Sequence, residues 1–185
     1  DLVIKEMPYQ VGENFELLIS LSAHPIIFLI RDPRLNVVSR ISKKIEAGQD
    51  PRFPLIETGW ELLLDQVRYC RERDIPYFVV DSVDFRTCPS DVFSKIFEHL
   101  YMPFSLEMLS WRATPHVNLD NLDGHHSHLY SRVLSSTGIE PAEEKIPGLD
   151  EIPKENGFRE HVAKCLAIYS NLRLEAEKNA CVVVG

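Results

Sequence analysis

Apolar and polar positions along the chain switch between two rhythms, and the switching predicts the elements. Residues 26–30 (Ile-Ile-Phe-Leu-Ile) and 77–80 are short runs of β-branched and aromatic side chains, the composition of strands. The first run has no alternation and so reads as a central parallel strand covered on both faces. Residues 2–4 (Leu-Val-Ile) read as a further buried strand at the start of the chain. Helical spacing fills the intervals, with apolar positions at 15, 18, 19 and 21, at 35, 37, 38, 41 and 45, and at 60, 62, 63, 64, 67 and 70. A further helix is predicted on the face of Val92, Phe93, Ile96, Phe97 and Leu100, and a last one over residues 158–178. Strand alternating with helix implies an α/β fold with a parallel sheet and crossover helices.

Past Trp111 the periodicity lapses. Residues 112–157 hold a histidine-rich stretch (His125, His126, His128), a short helical pattern at 129–134 and a proline-punctuated connection. A connection of that length is read as a lid or acceptor-side excursion of one domain covering residues 1–185. An apolar run at 180–184 predicts a last strand. The chain opens on Asp1 rather than Met, directly before a predicted strand, and is read as an incomplete domain.

With 20 basic and 28 acidic residues the formal net charge is −8, which argues against a nucleic-acid partner, since that needs a basic footprint. No apolar run approaches the roughly 20 residues that span a bilayer, so no membrane partner is expected either. Cys70, Cys88, Cys165 and Cys181 are scattered without metal-finger spacing and read as free thiols in a reducing compartment. That reading, with no signal segment, gives a cytoplasmic expectation. The two long loops suit a second copy in a homo-oligomer as readily as a substrate.

The strongest chemical signal is the elbow at Arg31. An open parallel sheet binds its ligand outside the carboxyl ends of its strands, and here a strand ends in a guanidinium followed by a helix N-terminus, which suits a phosphate. Ser39 lies eight residues on and offers a hydroxyl, while Arg34 and Arg40 raise the local positive potential. The alternative is an Arg31–Asp32 ion pair with Ser39 solvated. The three clustered histidines lack a carboxylate at helical spacing, so no metal site is expected.

Three segments resemble the sulfotransferases that use 3′-phosphoadenosine 5′-phosphosulfate: Val3-Ile4-Lys5-Glu6-Met7-Pro8, the run F-L-I-R-D-P-R-L-N-V-V-S-R at 28–40, and residues 79–89 leading through a helix to 103–111. The resemblance implies a three-layer sandwich of the P-loop NTPase type and sulfuryl transfer from that co-substrate to a hydroxyl or amine of a small-molecule acceptor. It implies that Arg31 and Ser39 hold the 3′-phosphate of the donor, and it makes Glu6 a candidate base and Lys5 a candidate partner of the leaving group. His125, His128 and Trp111 are candidates for the acceptor side. The family's glycine-rich phosphosulfate loop has no counterpart and is expected upstream of Asp1. Its R-K-G nucleotide loop is also unmatched, with Lys154 or Arg159 as substitutes. A P-loop kinase, with Asp81 at a strand end, and a non-catalytic nucleotide-binding or protein-interaction domain are the competing readings.

Overall fold

β1 (Ile26–Ile30) and β2 (Tyr77–Asp81) pair in parallel, with Ile26 opposite Tyr77 and Ile30 opposite Asp81. This computed structural model describes residues 3–23, 25–115, 127–141 and 145–178, and for 127–130 the helical backbone alone. Helices α1 (Pro8–Val11) and α2 (Phe15–Ser20) precede β1, and α3 (Pro33–Glu46) and α4 (Trp60–Glu72) cross over to β2. After β2 come α5 (Ser82–Thr87), α6 (Pro89–His99), α7 (Ser127–Ser135) and the long α8 (Phe158–Glu177). The chain is thus a mixed helix and strand domain around a small parallel sheet, as the alternation of rhythms predicts.

The sheet positions everything else because its two faces are filled differently. On one face Phe28, Ile30 and Val79 pack with Trp60, Leu63, Val67 and Cys70 of α4 and with Cys165, Leu172 and Ala176 of α8. Each large side chain sealed there contributes roughly 1.5–3 kcal/mol relative to exposure. A second cluster, Val37, Phe53, Ile152, Phe158 and Val162, joins α3 to the start of α8. On the other face of the sheet Phe78 and Val80 meet Val92 of α6, with Phe85 and Ile96 packed beside them. β2 is therefore covered on both sides.

β1 departs from expectation. Ile27 and Leu29, which point to the α6 side of the sheet, are 36 % and 59 % exposed, because α6 covers β2 and does not extend over β1. The predicted strand at residues 2–4 also fails over the residues described: 3–7 carry no regular structure, and Val3 is 89 % exposed. An apolar run forms a strand only with a neighbour to bond to, and β1 pairs with β2 alone among the described residues. The N-terminal segment is instead anchored at Pro8, whose carbonyl accepts from Gln66 Nε2 at 3.1 Å. Pro8 packs 3.4 Å from where a Cβ would stand on Gly59, and Gly59 has φ +78.

The cysteines split. Cys70 and Cys165 are free and fully buried, as expected, whereas Cys88 is disulfide-bonded, which corrects the expectation of a free thiol there. Cys88 sits half-buried where α5 gives way to α6, outside the sealed core that protects the other two. The predicted strand at 180–184 lies outside the described residues. Among the described residues no helix is long and apolar enough to cross a membrane.

Candidate functional site

Both strands end in a buried aspartate. Asp32 follows β1 and Asp81 closes β2, each 1 % exposed, and each begins the next helix by accepting a backbone N–H: Arg34 N to Asp32 Oδ1 at 2.8 Å, Val83 N to Asp81 Oδ1 at 2.7 Å. This is what short acidic side chains do at an N-cap, and Pro33 in the first turn of α3 suits the same start. Asp32 is compensated by Arg34, whose Nε and Nη2 bond its two oxygens at 3.0 and 2.6 Å. The Asp32 hydrogen bond holds the Arg34 guanidinium above its ordinary pKa.

Asp81 is tied to α8. Its Oδ2 makes no well-formed hydrogen bond, with Arg173 Nε 4.0 Å away. The Arg173 guanidinium grips Asp84 instead, at 2.6 and 2.9 Å. Burial, joined by the charges of Asp81 and Glu177, lifts Asp84 above the usual carboxylate range against the pull of Arg173. Tyr169 faces Asp81 and Asp32, and burial followed by these two carboxylates pushes its hydroxyl upward, so it stays a proton donor. The carboxyl edge of the sheet is thus a row of alternating charge held from behind by α8.

Arg31 stands at this edge, half-buried between β1 and the Asp32 cap, and Ser39 is half-buried on α3. Since Asp32 gives both oxygens to Arg34, the charge of that carboxylate is already answered within the elbow. Lys5 and Glu6 are exposed, and neither makes a hydrogen bond or ion pair with a described residue. Trp111 is 41 % exposed, its Nε1 donates to Ser136 Oγ at 3.2 Å, and its neighbour Ser110 bridges to Gly138, which fastens the stretch after α7 to this segment. His125 lies outside the described residues, and His128 is described only as helical backbone. Arg159 is engaged within the fold, donating to the carbonyls of Ile152 at 2.9 Å and Asp150 at 2.5 Å. Among the described residues no three His, Cys, Asp or Glu side chains gather as a metal-binding group.

Sequence reasoning missed Arg34 as the partner of Asp32, and Tyr169 and Arg173 as the back of the site. The first was signalled by Asp-Pro-Arg, a capping residue with an arginine two positions on. The second had a weaker signal, a tyrosine and an arginine four residues apart on one helical face of α8.

A sulfotransferase domain family matches this chain over residues 65–165, which is 101 of its 185 residues. No curated protein and no solved structure matches. The chain belongs to the sulfotransferase domain family. The matched segment runs from within α4 through β2, α5 and α6 into α8, so it contains Asp81, Asp84 and Trp111 and leaves the Arg31 elbow outside. Family membership makes the chain a transferase domain of the sulfuryl-transfer kind.

Proposed function

We propose that the domain transfers the sulfuryl group of 3′-phosphoadenosine 5′-phosphosulfate to a hydroxyl or amine of a small-molecule acceptor. The observation that carries this reading is the sulfotransferase match over residues 65–165. The sheet geometry supports a donor site at its carboxyl edge: Arg31 ends a parallel strand directly before a helix of 14 residues that also carries Ser39. A guanidinium, a hydroxyl and a helix N-terminus suit the dianionic 3′-phosphate of the donor. The helices on both faces of β2 are consistent with a three-layer sandwich of the P-loop type.

In this reading the acceptor loses a proton as its oxygen or nitrogen attacks sulfur, the bond from sulfur to the bridging phosphate oxygen breaks, and adenosine 3′,5′-bisphosphate leaves. Glu6 takes the proton and Lys5 meets the charge developing on the bridging oxygen. Trp111, with His125 and His128, is assigned to recognition of the acceptor.

Calorimetric titration with adenosine 3′,5′-bisphosphate tests the reading. Wild-type protein binds in the micromolar range, and Arg31→Ala weakens binding roughly 10- to 100-fold, the worth of a lost charge-assisted contact. A folded wild-type protein that shows no binding heat overturns the donor assignment and favours a non-catalytic domain. Equal binding by the variant removes Arg31 from the site.

A further inference from the structure

We propose that the groove between α4 and α8 binds an aliphatic carboxylate, at a site separate from the Arg31 elbow. The groove has a volume of about 440 Å³. Helical spacing builds it: Leu64, Arg68 and Arg71 stand at i, i+4 and i+7 on α4, and Ile168, Asn171 and Glu175 at i, i+3 and i+7 on α8, so one face of each helix forms a wall. Deeper side chains of the same two helices, among them Val67, Cys70 and Leu172, are sealed in the first core cluster. Leu64 and Ile168 are half-buried, and with Leu172 they give the groove an apolar floor.

The polar groups of the walls fall into two sets. In one set the charges are answered: Arg71 pairs with Glu175 Oε1, its Nε donates to the Tyr77 hydroxyl at 2.8 Å, and that hydroxyl donates to Glu175 Oε2 at 2.9 Å. Both oxygens of Glu175 are therefore engaged. In the other set donors are to spare. Arg68 makes no hydrogen bond among the described residues, and its ion pair is with Asp65 at 3.6 Å, between side chains 59 % and 67 % exposed, where water competes. The exposed side-chain amide of Asn171, on the facing helix, has no hydrogen-bond partner among the described residues either.

A guanidinium fork and an amide above an apolar floor suit a carboxylate head on an aliphatic body. Burial of the body supplies the attraction, and the planar fork, which matches a carboxylate through two parallel hydrogen bonds, supplies the preference for this head. An ammonium head would meet Arg68 and Arg71 as like charges. Neither Arg31 nor Ser39 lines the groove, so occupation of this site does not depend on the sulfuryl donor.

The test is titration of the full chain with octanoate, followed by amide NMR and calorimetry. Amide shifts should centre on residues 64–71 and 167–175, with a Kd of roughly 1 mM, in keeping with a ligand of about ten non-hydrogen atoms. Octanol and octylammonium should bind roughly tenfold more weakly or not at all. Arg68 is exposed, so Arg68→Ala should leave the thermal midpoint unchanged while weakening octanoate roughly 5- to 10-fold, and Arg68→Lys, which keeps the charge without the fork, should fall between. Ala167 is also exposed and lines the same wall, and Ala167→Trp should obstruct binding. No shifts at several times the expected Kd, shifts centred on the Arg31 elbow, octanol bound as tightly as octanoate, or full affinity in Arg68→Ala would each overturn the assignment.

Discussion

The tripeptide Asp-Pro-Arg occurs twice, at 32–34 and at 50–52, and it folds the same way both times. In each the arginine N–H donates to the aspartate Oδ1, at 2.8 Å in the first and 2.9 Å in the second, and in each Nε lies 3.0 Å from the same oxygen. What differs is the surroundings. The Asp32 side chain is 1 % exposed at a strand end and starts α3, while that of Asp50 is 51 % exposed in the loop before Phe53. Local chemistry fixes the hydrogen-bond pattern, and the surroundings decide what breaking it costs.

The largest effect is expected at the buried copy. Asp32→Ala removes the cap of α3 and the partner of Arg34, and should lower unfolding free energy by roughly 2–4 kcal/mol in urea denaturation. Asp32→Asn keeps an oxygen for the N–H of Arg34 and should lose less. A loss from Asp32→Ala no larger than that from Asp50→Ala would break the contrast.

A third ionisable group sharpens it. Buried His161 has Nε2 2.7 Å from Thr58 Oγ1, a hydroxyl that lies 2.8 Å from the Leu55 carbonyl, and Nδ1 3.7 Å from Glu61 Oε1. Around it also stand Cys165 Sγ, 3.4 Å from Nε2, and the charge of Lys164. Burial holds the imidazole below its ordinary pKa of 6.5, with Glu61 opposing and Lys164 assisting. Because the folded state binds the proton less well than the unfolded chain, this contribution is intact above pH 6.5 and is lost as pH falls from there through the depressed pKa. Denaturation midpoints measured across that window should show the decline, and His161→Gln should flatten it.

The smallest effect belongs to the exposed copy. Arg52, first through its side-chain hydrogen bonds, holds Asp50 down to about 2. Arg52→Ala should return the Asp50 titration, followed by carboxyl NMR, toward 3.8 while the unfolding midpoint stays within error. A clear drop in the midpoint would show that an exposed pair of this geometry matters more than its surroundings suggest.

These pairs also mark how far the sequence could be read. β1, α3, α4, β2, α6 and α8 were legible because each has a sustained period or a strong boundary, such as Asp32-Pro33 before α3. Position 60, the first of the apolar positions spaced along α4, is Trp60 and is 4 % exposed. The strand at residues 2–4 was misread, because an apolar run records a capacity to pair and not the presence of a partner. The same limit applies to Ile27 and Leu29, whose apolar character says that a cover suits them and not whether α6 reaches that far. At the sheet edge Arg31 and Ser39 were nominated from the strand end and the helix that follows it and are proposals still, whereas Tyr169 and Arg173 lie more than 80 residues beyond Asp81, a distance no local pattern encodes. Asp81 caps α5, and Asp84 in its first turn pairs with Arg173 instead.

The open side of β1 bears on how these molecules treat one another. Residues 26–30 form an apolar five-residue strand with Leu29 bare on one face and, among the described residues, one edge of backbone N–H and C=O groups that no neighbouring strand takes up. Such an edge is a template for the same strand of another molecule. The net charge of −8 holds copies apart at low ionic strength, and salt weakens that protection. Among the described residues, then, the exposed side chains of Ile27 and Leu29 pull toward association while the acidity of the chain opposes it.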